Sequence, residues 1–316
     1  MAEALALVIG GLTHEHALIF AAASTLLQVF VRYRYYAGVL KFMTLALFAY
    51  VATAFTVHID WSAALAAAVW PKATLDTNYF MMVVAVLGTT ISPYLFFWQA
   101  SQEVEEMQVG RTQLPLRDLR RGGDGEIDRI RIDTIVGMFF SNLIAFFIIV
   151  TTAAVLHAQG LTNITSATQA ANALRPLAGE FTFVLFALGI VGTGMLAIPV
   201  LAGSAAYGAA EVLGWPATLE ARAPDAIGFY LIIAAATAIG FGLGFTGIGA
   251  ITMLIWSAVL NGIVAVPIMA IMMLIVINPA LMGRFGARPW LVALGWLGTL
   301  LMGLAVISLI GSYLMS

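Results

Sequence analysis

Residues 81–106 read MMVVAVLGTTISPYLFFWQASQEVEE, and this stretch decides the fold. Its first two thirds are apolar, lack a charge, and are long enough for a membrane helix of about 20 residues. The middle interrupts that helix with Gly88, Thr89, Thr90, Ser92 and Pro93. Proline has no N–H, and its ring collides with the carbonyl four residues back. Pro93 therefore removes the helical partner of the Thr89 carbonyl at about bilayer mid-depth. An unpaired carbonyl in hydrocarbon costs several kcal/mol unless protein, water or an ion satisfies it. A helix broken there can offer carbonyl oxygens to a cation. The alternative is a proline kink whose carbonyl is rescued by a neighbouring Ser or Thr.

Outward from this segment, the composition agrees. Of 316 residues, 62% are hydrophobic and 9% charged, against roughly 45–50% and about 25% in soluble domains. A chain so poor in charge cannot cover a water-facing surface, which excludes a soluble enzyme or a nucleic-acid binder. At about 20 residues per span, nine or ten spans is the ceiling. Runs such as LIFAAASTLLQVFV (18–31) do not alternate, so the spans are helices rather than β-barrel strands. The expectation is an all-α integral membrane protein with the lipid bilayer as its main partner. Eight spans are expected at about 17–33, 39–57, 77–101, 131–157, 178–208, 228–247, 251–277 and 291–314. The opening stretch before Thr13 is too short to span.

Residues 103–133 hold 14 of the 30 charges and form the expected aqueous loop, with helical ends. Loop charge gives the orientation. Twelve Lys and Arg fall in one set of alternating loops, against only Lys72 and Arg175 in the other. The basic side, including 103–133, is expected to be cytoplasmic, with 58–76 outside. Both termini then face outward, which suggests spans upstream of Met1.

Other polar groups are few. Pro199 frees the Met195 carbonyl, and Pro267 frees that of Ile263. Asn261, deep in a span, is either an ion ligand or an interhelical hydrogen-bonding group. His14-Glu15-His16 resembles a metal clip, but residues two apart on a helix do not face each other, and a solvated loop is expected. Glu103, Glu105 and Glu106 either draw cations into a vestibule or mark where water begins. No Asp or Glu lies in the core of any expected span, although ion-coupled transporters usually place one there. No protein partner and no cofactor is implied.

GTTISPYLFFWQASQEVEE (88–106), with LLQVFVRYRYYAGVLKFMTLALFAYVATAF (26–55), resembles the natural-resistance-associated macrophage protein family of divalent metal transporters, in a divergent bacterial branch. The resemblance covers essentially the whole chain. It implies a leucine-transporter-like five-plus-five inverted repeat, with Met1 inside the family's third helix and the eight spans as helices four to eleven. Residues 17–57 would be the remnant of the first repeat, 77–277 the second repeat and 291–314 an additional C-terminal helix, in one transmembrane domain. The family holds its metal between two broken helices. The first, with its Asp-Pro-Gly motif, has no counterpart here. The other reads Ala-Thr-Val-Met-Pro-His in the family and Thr89-Thr90-Ile91-Ser92-Pro93-Tyr94 here. Thr89 matches the carbonyl ligand, Ser92 replaces the methionine ligand, and Tyr94 replaces the histidine of the gate or proton route. Asn261 falls one residue from the register of a glutamine ligand.

The resemblance thus implies secondary transport of a divalent cation (Mn, Fe or Mg) across the inner membrane, in the family by symport with protons. Thr89, Ser92 and Asn261 are the expected ion ligands, and Gly88 and Pro93 mark the break. The polypeptide is expected to be an N-terminally truncated fragment, with residues 1–316 alone unable to bind or transport divalent ions. The alternatives are a transporter of an organic solute such as an amino acid on the same fold, and a non-transporting membrane scaffold.

Overall fold

The computed structural model describes residues 1–31, 48–57, 59–70, 75–109, 123–157, 166–219 and 223–315, with a few isolated positions between them. These residues are helical throughout, with no strand among them. The helices are α1 (Ala2–Ile9), α2 (Thr13–Phe30), α3 (Phe48–Thr56), α4 (Trp61–Val69), α5 (Thr77–Thr90), α6 (Pro93–Val109), α7 (Gly123–Val155), α8 (Ala167–Leu213), α9 (Ile227–Leu243), α10 (Ala250–Val276), α11 (Pro279–Met282) and α12 (Pro289–Met315).

Five segments are long and apolar enough to cross a bilayer: Thr77–Met107, Asp124–Val155, Ala187–Leu213, Ala250–Val276 and Pro289–Met315. The 17-residue α9 is a shorter apolar helix. Of the two remaining expected spans, 17–33 corresponds to α2, which opens four residues earlier, at Thr13. Much of 39–57 lies outside the described residues, and α3 covers its end. Large aliphatic and aromatic side chains cover the outside of these helices, among them Ile132, Phe139, Leu231, Leu254, Leu300 and Ile307. In water such a surface would aggregate, whereas in lipid it is the solvated face.

The chain divides into two compact units. One comprises Met1–Pro71 and Phe139–Thr252. In it α8 packs on α1, α3 and α9, and α2 packs on α1, α8 and α9. Its centre is aromatic: Tyr207 and Phe229 meet edge to face at 5.0 Å, and Phe229 meets Tyr230 at 5.4 Å. The Met1 side chain lies where a Cβ on Gly194 would sit, so α1 is seated directly on α8. Gly214, with φ of 67°, ends α8 in the left-handed conformation that glycine adopts without strain.

The second unit comprises Lys72–Met138 and Met253–Ser316 and contains α5, α6, the start of α7, most of α10, α11 and α12. Asp76 caps α5 by accepting the Tyr79 N–H at 2.8 Å. Val84 and Ala85 of α5, Ala258 and Val259 of α10, and Val306 and Leu309 of α12 form its buried core. α10 and α12 run antiparallel: Met273 meets Gly295, Met269 meets Gly298, and Val266 meets Gly303. The loop 103–133 is helical at both ends, to Val109 and from Gly123, and its middle lies outside the described residues.

Candidate functional site

α5 stops at Thr90 and α6 starts at Pro93, so Ile91 and Ser92 lie between two helices within one long apolar segment. The Ile91 N–H still closes onto the Leu87 carbonyl at 2.8 Å, ending α5 regularly. Beyond it, the Leu95 N–H bonds to the Ser92 carbonyl at 3.1 Å and opens α6 as a tight turn. Proline is suited to the first position of a helix, where its missing N–H is no loss and its fixed φ is already helical. Thus one residue ends one helix and begins the next.

Ser92 and Pro93 are buried. The Ser92 Oγ lies 2.7 Å from the Gly88 carbonyl oxygen and 3.0 Å from that of Thr89. This corrects the expectation of an unpaired Thr89 carbonyl, because a buried hydroxyl sits within hydrogen-bonding reach of it. A serine has one hydroxyl hydrogen. The Ser92 Oγ and the Gly88 and Thr89 carbonyl oxygens therefore form one cluster around a single shared hydrogen. The hydroxyls of Thr89 and Thr90 donate backwards, to the Val86 carbonyl at 2.7 and 3.2 Å, and Thr90 also reaches that of Leu87 at 3.0 Å. The end of α5 thus presents carbonyl and hydroxyl oxygens, reinforced by the partial negative charge of a helix C-terminus.

What backs this cluster was not read from sequence. A Cβ on Gly88 would collide with the Ala258 carbonyl oxygen, and would lie 2.5 Å from the Gly262 N and 2.8 Å from its Cα. A Cβ on Gly262 would lie 2.7 Å from both Cγ1 and the carbonyl oxygen of Val84. α5 and α10 therefore cross backbone to backbone at Gly88 and Gly262. The available signal was Ala258-xxx-Gly262, a small-residue pair one turn apart that allows close helix approach in membranes. Asn261 precedes Gly262 on α10 and is half-buried. Its carboxamide makes no hydrogen bond among the described residues, so the crossing brings an uncommitted amide-bearing residue beside the contact point. Tyr94, the second residue of α6, is also half-buried.

One other expectation changes. His14, Glu15 and His16 are not a solvated loop but the first turn of α2. Gly10 and Gly11 have positive φ and turn the chain back, so that His16 Nε2 lies 2.7 Å from the Gly10 carbonyl oxygen. His14 stacks on Phe245 with ring centroids 5.1 Å apart. Glu103 and Glu106 pair with a cation at the exposed end of α6. Arg129 of α7 reaches Glu103 at 2.7 Å, Glu126 at 2.9 Å and Glu106 at 3.4 Å. Glu105 is buried. His58 lies outside the described residues, and among those described no three His, Asp or Glu gather as a metal cluster.

The sequence matches the family model described as natural resistance-associated macrophage protein-like (Nramp) over residues 1–312. The chain belongs to the Nramp family. No individual curated protein matches it. Nramp membership makes it a membrane transporter rather than an enzyme, and the long apolar helices make it multi-pass. Within this Nramp protein the interrupted helix, with its buried oxygen cluster against α10, is the candidate site.

Proposed function

We propose that this protein carries a small divalent cation, in the size range of Mg²⁺, Mn²⁺ and Fe²⁺, across the inner membrane, with loop 103–133 on the cytoplasmic side. The Thr89 carbonyl and Ser92 hydroxyl would bind the ion directly, and the Asn261 carboxamide would approach from α10. The observation that carries this reading is the 3.0 Å between Thr89 O and Ser92 Oγ, two buried oxygens at the break in the helix. Two ligands at right angles on one ion are separated by √2 bond lengths. That is about 2.8–3.0 Å for the ~2.0–2.1 Å bonds of Mg²⁺, and about 3.3–3.7 Å for the ~2.3–2.6 Å bonds of Ca²⁺. The existing spacing suits the smaller ions with no rearrangement of the backbone.

Ligand chemistry points the same way. All three groups are neutral oxygen donors, which suit hard ions, whereas a thioether favours softer ones. Their neutrality also means that a dehydrated divalent ion needs charge from elsewhere in the protein, because burying unpaired charge costs many kcal/mol. Alternating access would move the two helix halves about Ile91 and Ser92, where regular hydrogen bonding already lapses.

The test is uptake by the complete gene product in sealed vesicles. Saturable Mg²⁺ or Mn²⁺ uptake that excess Ca²⁺ fails to inhibit is expected. Uptake of an amino acid with no cation uptake would overturn the reading.

A further inference from the structure

Helix α2 is inverted with respect to a soluble helix. Its buried residues are His16, Ser24 and Gln28, all polar and all on one face at multiples of four residues. Leu18, Ile19, Leu26 and Phe30 are each more than half exposed on the other faces. Polar side chains inside a membrane domain face its interior or a water-filled space.

The Gln28 carboxamide gives this face a direction. Its Nε2 donates to the Ser24 carbonyl at 3.1 Å and lies 3.3 Å from the Ser24 Oγ. A carbonyl only accepts, so the nitrogen end of the amide is fixed towards Ser24. The Oε1 then points into the unit, fully buried and with no hydrogen-bond partner among the described residues. Ser24 and Gln28 are 0% and 1% exposed. An acceptor left unsatisfied there is destabilising, and α2 could have avoided this with leucine. Beside the orphan acceptor, the Ser24 hydroxyl supplies a donor. One acceptor and one donor a few ångströms apart are complementary to a single water molecule, which donates to the first and accepts from the second. Two neutral oxygens are too few to replace the shell of a metal ion, which takes six or more ligands.

We propose that Ser24 and Gln28 form a water-binding site inside the unit built from α1, α2, α8 and α9, at the inner end of a hydrated polar track along α2. The track opens at His16, beside the exposed turn Gly10–Glu15. From His16 to Gln28 it rises about 18 Å, more than half of the ~30 Å hydrocarbon thickness. This water site is independent of the metal site proposed above, which lies in the other unit.

The chain has no cysteine, so single thiols report cleanly. In vesicles of the complete gene product, Ser24→Cys and Leu26→Cys, the latter at an exposed position of the apolar face, are each treated with 2-aminoethyl methanethiosulfonate. Thiols react as thiolates, which need water. Ser24→Cys is therefore expected to react faster by on the order of tenfold, although its position is the more buried. Equal or slower reaction would overturn the track. Gln28→Met provides a second reading at similar volume. If water occupies the site, the variant loses a hydrogen bond and melts at a lower temperature. If Oε1 is instead a dry, unpaired acceptor, the apolar replacement melts at the same or a higher temperature, and the proposal fails.

Discussion

Gly88→Ala is the substitution for which the structure makes the sharpest demand. The new methyl would meet backbone, not a side chain that can rotate away: the Ala258 carbonyl oxygen, the Gly262 N at 2.5 Å and the Gly262 Cα at 2.8 Å. Ordinary contact requires about 3.5 Å, so α5 and α10 must part by roughly 1 Å at their crossing. Overpacking of this kind costs about 1–3 kcal/mol, and the upper end applies because two rigid helices must shift together. Replacing glycine by alanine within a helix returns up to about 1 kcal/mol through backbone propensity. The net expectation is a loss of about 2 kcal/mol. Gly298→Ala and Gly303→Ala are controls in the same unit, because their nearest neighbours would be Met269 Cε at 3.8 Å and Val266 Cγ1 at 3.7 Å. Both should gain up to about 1 kcal/mol. Thermal unfolding in one detergent, followed by tryptophan fluorescence, measures all three. Gly88→Ala should melt clearly below the wild type, with the controls at or above it. If Gly88→Ala melts together with Gly298→Ala, the backbone crossing described here is wrong.

Arg129→Ala removes the cation shared by Glu103, Glu106 and Glu126. Arg129 is 45% exposed, so the loss should be at most about 1 kcal/mol and should shrink in molar salt, which screens the three carboxylates it leaves behind; melting at low and high salt checks this. For topology, Ser62→Cys should be labelled by an impermeant thiol reagent added to intact cells and Gly123→Cys should not, with the reverse pattern refuting the assigned orientation.

The break in the long apolar helix was legible because its cause is local. Proline lacks an N–H wherever it stands, so Pro93 marks the interruption without knowledge of any neighbour. A neighbouring Ser or Thr was one of the two readings of the freed carbonyl, but which hydroxyl answers it was not legible. Ser92 reaches both Gly88 and Thr89 only through a particular side-chain rotamer in a buried setting. The partner of Gly88 was hidden for a different reason: Gly262 is far along the chain, and hydrophobic pattern alone does not say which helices pair. The same holds for Arg129 and Glu103, 26 residues apart. His16 was misread because an apolar count starts α2 at Ala17, whereas the helix begins at Thr13 with the ring folded against Gly10. α4, within the expected outer loop 58–76, announced itself only by Asp60, whose Oδ1 accepts the N–H groups of Ser62 and Ala63 ahead of an alanine-rich run.

The central claim is that residue 92 touches the transported ion, and Ser92→Met tests it most directly. Replacing a hard hydroxyl with a soft thioether at one ligand position should favour the softest ion most. Competition between Cd²⁺ and Mg²⁺ for uptake is measured in vesicles carrying the complete gene product, wild type or variant. The account predicts that the Cd²⁺-to-Mg²⁺ uptake ratio rises in the variant. An unchanged ratio in a variant that still transports would contradict it and remove Ser92 from the ion's ligands.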